Sequence, residues 1–193
     1  MRSDPNIIVI GVSTGGPMTL KQIFSGRDPL NAAVIIVLHI ASGMDRLIVN
    51  GLASVSSMPV SLAKEGEPIQ KGRIYLSPGG FHLKIEGNRR IVLYRGERVN
   101  YVQPSVDVAM QSLQKSLHGR IIGVILTGMG KDGAEGIRHI KGIGGATIAQ
   151  NQETSAIFGM PKAAAQTGAV DYVLPKEKIW KKLAELLKPV ASF

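Results

Sequence analysis

A serine, a histidine and an aspartate each follow an apolar run in this chain, and together they have the types needed for nucleophilic acyl chemistry. Ser13 lies in Gly11-Val-Ser-Thr-Gly-Gly-Pro17, where the apolar run 7–12 breaks into glycines. His39 closes the run 33–39, and Asp132 lies in Leu126-Thr-Gly-Met-Gly-Lys-Asp-Gly133, after the run 121–126. A serine hydroxyl is a poor nucleophile until a base takes its proton. Histidine can do so near neutral pH, and a carboxylate fixes its tautomer and stabilises the imidazolium. Gly11-x-Ser13-x-Gly15 also matches the spacing of a serine exposed at a strand-to-helix turn, with unpaired helix N–H groups behind it to hold negative charge.

Other readings of the same residues fare worse. A dinucleotide loop would need a glycine where Ser13 stands, and a carboxylate where the next run ends in His39. A Walker loop would need a lysine after Gly16. Ser13 and Thr14 could simply cap a helix, Asp132 could do the same, and Gly128 and Gly130 could serve a tight turn. One site explains more than these separate roles do, because a glycine-rich turn recurs after two different strands.

The elements that must position these residues alternate. Strands are expected at 7–12, 33–39, 60–63, 73–76, 121–126, 146–149 and 170–174. Helices are expected at 17–24, 44–55, 105–117, 133–141 and 160–166, followed by a C-terminal helix. Segments 82–86 and 90–94 flank Gly87-Asn88 and read as an antiparallel hairpin. Unbroken apolar strands are buried on both faces. The pattern predicts one α/β domain over 1–193: a doubly wound, mainly parallel sheet with an antiparallel hairpin excursion and helices on both faces. In such sheets ligands sit beyond the carboxyl ends of the strands, where the strand order reverses. Ser13, His39 and Asp132 would meet there.

Composition narrows the function. No apolar stretch approaches the ~20 residues that span a bilayer, and the first five residues do not read as a signal peptide. A cytoplasmic protein without membrane insertion is expected. Cysteine is absent, which excludes disulfides and thiol catalysis. The four histidines are dispersed, so no metal or cofactor is expected. The net charge of +9 calls for an anionic partner. Scattered cations and few aromatics argue against nucleic acid. The cluster Lys176, Lys178, Lys181 and Lys182 alternates with Ile179, Leu183, Leu186 and Leu187, as on a solvated amphipathic helix.

The chain resembles the catalytic domain of the bacterial chemotaxis protein-glutamate methylesterases, the CheB family. The likeness rests on Gly11–Pro17, Ser77-Pro-Gly-Gly80 with His82-Leu83, Pro104-Ser-Val-Asp107, Leu126–Ala134, Ala149-Gln150, Phe158-Gly-Met-Pro161 and Gly168-Ala-Val-Asp171. The resemblance implies a doubly wound α/β fold. It implies Ser13, His39 and Asp132 as the catalytic residues, with Thr14 and Met129 lining or supporting the site; backbone N–H groups near Thr14, Gly15 or Met129 are expected to steady the oxyanion. It also implies hydrolysis of glutamate γ-methyl esters on acidic cytoplasmic helices of chemotaxis receptors, and, in some members, deamidation of receptor glutamines. A receiver domain in cis or in trans is the family's regulatory partner. The chain departs from the family around the histidine, at Leu38, Ile40 and Ala41, and at Val102-Gln103. A silent binding homologue, or an esterase for another substrate, remains the alternative.

Overall fold

The computed structural model describes residues 4–188; Met1, Arg2 and Ser3, at the start of the segment read above as no signal peptide, lie outside them. Six-residue strands β1 (Ile7–Val12) and β2 (Ala33–Leu38) are buried at every position. Side chains alternate across a strand, so each feeds two cores. Ile8, Ile10 and Val12 pack in one layer with Leu20, Ile23, Leu52, Ile179 and Leu183. Ile7 and Val9 pack in the other with Leu83, Met110, Ile137, Ile140 and Met160.

The chain continues through α1 (Gly16–Phe24), α2 (Asp45–Ala53), β3 (Val60–Leu62), β4 (Ile74–Leu76), β5 (His82–Glu86), β6 (Arg90–Tyr94) and α3 (Val106–Gln111). Then come β7 (Ile121–Ile125), α4 (Ala134–Gly142), β8 (Ala146–Gln150), α5 (Met160–Gln166), β9 (Tyr172–Leu174) and α6 (Lys176–Leu186). Seven strands form a parallel sheet in the order β3-β4-β2-β1-β7-β8-β9. α1, α2 and α6 supply one layer, and α3, α4 and α5 the other. β1 lies between β2 and β7, in the registers Val12↔Leu38 and Gly11↔Ile125. The chain thus winds outward from β1 in both directions, which makes the carboxyl end of β1 the switch point.

The expected antiparallel hairpin β5–β6 is present, as a two-stranded sheet packed on α3 beside the parallel one. One local expectation differs from the structure. The helix expected over 105–117 ends at Gln111. Ser112 Oγ donates to Ala109 O and accepts Ile85 N–H, while the Asn88 side chain bonds both backbone groups of Gln114. Polar side chains thus take over from the helical ladder, and Leu117, which the sequence pattern puts on one apolar stripe with Val106, Met110 and Leu113, stands 83 % exposed.

Gly11 lets α3 approach the sheet: a Cβ there would lie 2.5 and 2.7 Å from the two Val106 methyls. Gly11→Ala should therefore overpack the layer and cost about 1–3 kcal/mol, measured as a lower urea midpoint with an unchanged slope. An unchanged midpoint would show that Val106 gives way freely.

Candidate functional site

β1 ends at Val12, and the chain turns at once into α1. Gly15 takes the left-handed φ of +79° that this turn requires, and a Cβ there would meet Ala156 Cβ at 2.7 Å. The turn is tied to the loop after β7. Ser13 N–H donates to Thr127 O (3.0 Å), and Thr127 Oγ1 donates to Thr14 O (2.9 Å). Thr127 N–H in turn donates to Gln150 Oε1 at the end of β8 (2.8 Å). Gly128 lies directly against Ser13, since a Cβ on it would sit 2.8 Å from Ser13 Cβ and 2.4 Å from Met160 Sδ. Among the described residues the Ser13 hydroxyl makes no hydrogen bond, and neither do the N–H groups of Thr14, Gly15 and Met129. These are the donors that a developing oxyanion would need.

His39 follows β2 at the same level, and its N–H donates to Val12 O (3.1 Å). Its Nε2 lies 2.7 Å from Asp132 Oδ2. An ionised carboxylate accepts, so Nε2 carries the proton and Nδ1 keeps its lone pair. The sheet register thus places Ser13 and His39 side by side, and the β7 loop brings Asp132 to the histidine.

Asp132 is only 2 % exposed and accepts five hydrogen bonds. Oδ2 takes His39 Nε2 and Val106 N–H (2.6 Å). Oδ1 takes Ser105 Oγ–H (2.7 Å), Asp107 N–H (3.2 Å) and Asn100 Nδ2–H (3.2 Å). A second buried carboxylate, Asp107, accepts Gly136 N–H (2.7 Å), Gly133 N–H (2.9 Å) and Asn100 Nδ2–H (2.8 Å). Each aspartate therefore caps the start of the other's neighbouring helix, and Asn100 bridges the two. Burial pushes the Asp132 carboxyl up, but the bonds from His39, Val106 and Ser105 outweigh it and hold it below the ordinary carboxylate value. Asp107 goes the other way: burial and the charge of Asp132 prevail over its hydrogen bonds and raise it. Of these two interacting acids, Asp107 is the one whose surroundings favour protonation and Asp132 the one whose surroundings favour the charged form.

Asn100 and Tyr101 form the tip of a two-residue turn closed by Val99 and Val102, with φ of +53° and +67°. Asn100 reaches inward to the aspartates, while Tyr101 points out and is 92 % exposed. Below this turn, His39 opens on a cleft of about 370 Å³ lined also by Ile40, Ala41, Arg98, Tyr101 and Gln103. Met129 stands 76 % exposed on the loop carrying Asp132. Sequence reasoning did not single out Asn100, Ser105 or Asp107 as site residues. The Pro104-Ser-Val-Asp107 motif was the available signal for the last two; Asn100 offered none.

The chain matches the CheB methylesterase family model over residues 8–183. It is 43 % identical over 176 residues to the protein-glutamate methylesterase/protein-glutamine glutaminase of Pyrococcus horikoshii, covering 89 % of this chain and 48 % of that one. It is 41 % identical over 186 residues to the protein of that name, numbered 1, from Syntrophus aciditrophicus, covering 96 % and 53 %. The chain thus spans about half the length of these curated relatives. The crystal structure of the Thermotoga maritima CheB methylesterase catalytic domain superposes with a TM-score of 0.87 at 38 % identity, covering 94 % of this chain and 98 % of that one.

The two aspartates should leave opposite marks on stability. Asp132, lowered in the fold, stabilises above the unfolded carboxyl value of about 3.9 and loses that contribution as pH falls through its folded value. Asp107, raised in the fold, contributes fully below about 3.9 and loses its contribution as pH rises through its folded value. Urea unfolding across pH should therefore show wild type losing ground to Asp132→Asn on acidification, and to Asp107→Asn as pH rises from about 4. Same-sign trends would contradict this assignment.

Proposed function

Because the chain belongs to the CheB methylesterase family, we propose that it hydrolyses glutamate γ-methyl esters on the cytoplasmic helices of chemotaxis receptors, with Ser13, His39 and Asp132 as its catalytic residues. The observation that carries this reading is the 2.7 Å His39–Asp132 bond at the strand end next to Ser13. It leaves a basic nitrogen, Nδ1, for the serine proton.

In the first step Ser13 Oγ attacks the ester carbonyl while His39 Nδ1 takes the hydroxyl proton. The imidazolium is stabilised by Asp132, which stays ionised under its five hydrogen bonds. N–H groups of Thr14, Gly15 and Met129 hold the tetrahedral oxyanion, each such donor contributing about 3 kcal/mol. Collapse of this intermediate breaks the bond to the methoxy group, which takes the proton from His39 and leaves as methanol. Water then gives a proton to the free His39 and attacks the acyl-serine. The second collapse returns that proton to Ser13 and frees the glutamate. The same path on a glutamine side chain releases ammonia, in keeping with the glutaminase half of the relatives' names. The positive charge suits an acidic helical substrate.

Ser13→Ala should abolish methanol release from a methyl-esterified receptor cytoplasmic fragment and leave the circular dichroism spectrum unchanged. Asp132→Asn, which disfavours the productive tautomer, should lower kcat on the order of 10⁴-fold. Full activity in the Ser13→Ala protein would remove Ser13 as the nucleophile. Failure of the wild-type serine to take a fluorophosphonate label would favour a silent homologue.

A further inference from the structure

Helices α1 and α2 both begin at the rim that holds Ser13 and His39, and an apolar groove of about 510 Å³ runs between them. Pro17, Leu20, Leu47, Ile48 and Leu52 line it. Leu47 is 65 % exposed, and Met18 and Met44, at the starts of the two helices, are 63 % and 48 % exposed. Large apolar side chains gathered on one surface mark an interaction site more often than single ones do.

Gly51 keeps the groove open. It lies inside α2, where glycine costs roughly 1 kcal/mol relative to alanine. A Cβ there would come within 3.0 Å of Lys21 Cε and Nζ, so the lysine lies across the bare backbone. Lys21 lines the groove and Arg46 stands exposed at the start of α2, and neither is in an ion pair among the described residues. Apolar walls with the unpaired Lys21 ammonium among them suit an acidic amphipathic helix, laid in with its apolar face down. The chain's charge of +9 opposes a second copy in the same place.

We propose that the α1–α2 groove is a docking site for the protein substrate: an acidic amphipathic helical segment lies between Leu47 and Leu20 while its esterified glutamate reaches Ser13. This rests on the esterase reading above and adds a binding determinant outside the reacting residues. Selectivity for protein over small esters then comes from the groove, through KM.

The test compares methanol release from a methyl-esterified receptor cytoplasmic fragment and from an N-acetylglutamate γ-methyl ester amide, by wild type, Leu47→Asp and Gly51→Leu. Gly51→Leu fills the groove and displaces only the flexible end of Lys21. Both variants should raise KM for the fragment on the order of tenfold, the effect of losing a buried anchor, with turnover of the small ester unchanged. Equal losses on both substrates, or an unchanged KM for the fragment, would overturn the proposal. In a Ser13→Ala background, Leu47→Asp should weaken fragment binding in an isothermal titration; unaltered affinity would also overturn it. A wild-type chain that releases no methanol from either substrate defeats the esterase reading, while this titration still judges the groove. A concentration-dependent dimer abolished by Leu47→Asp would assign the groove to a second copy and sink the proposal.

Discussion

The exchange of carboxylates between the starts of α3 and α4 is the constraint on which the site depends. Asp132, just before α4, accepts the first N–H groups of α3, and Asp107, inside α3, accepts N–H groups at the start of α4. A buried carboxylate is costly unless its oxygens are fully bonded. Here the bonds that offset that cost also lock its orientation. The oxygen that faces His39 is held by Val106 N–H, so it can rotate away from the imidazole only by uncapping α3. Fold stability and the orientation of the histidine are secured by the same atoms.

The parallel sheet supplies the other half. Three adjacent strands in register deliver Ser13, His39 and the Thr127 loop to one level at the carboxyl end. Two close approaches complete the fit: Gly11 admits Val106 against β1, and Gly128 admits Ser13 against the β7 loop. A methyl group at either position would push apart elements whose spacing sets where Ser13 stands relative to Asp132 and the β7 loop. The unpaired N–H groups at Thr14, Gly15 and Met129 follow from these turns, since a tight strand-to-helix connection leaves donors that no ladder can use.

Much of this was legible in the chain itself. Runs such as Ile7–Val12 and Ala33–Leu38 carry no polar residue, so a strand buried on both faces is the only economical reading, and Ser13 and His39 stand at their ends. The early end of α3 was not legible: Val106, Met110, Leu113 and Leu117 keep a helical spacing, but the Asn88 and Ser112 side chains satisfy the backbone in another way. Asn88 comes from the hairpin turn, over twenty residues away. Asn100 was invisible for the same reason. Nothing local distinguishes it from any other turn asparagine, and its role exists only because two aspartates from α3 and the β7 loop converge on it.

Local chemistry therefore determined the alternation of strands and helices, the glycine-rich turns and the residue types able to move an acyl group, because periodicity and turn preferences act over a few neighbouring residues. Only the folded chain decided which nitrogen of His39 meets Asp132, how five donors crowd one carboxylate, and that an apolar groove opens between α1 and α2. Those outcomes depend on distances between segments remote in sequence, and such distances are set by the packing of whole layers.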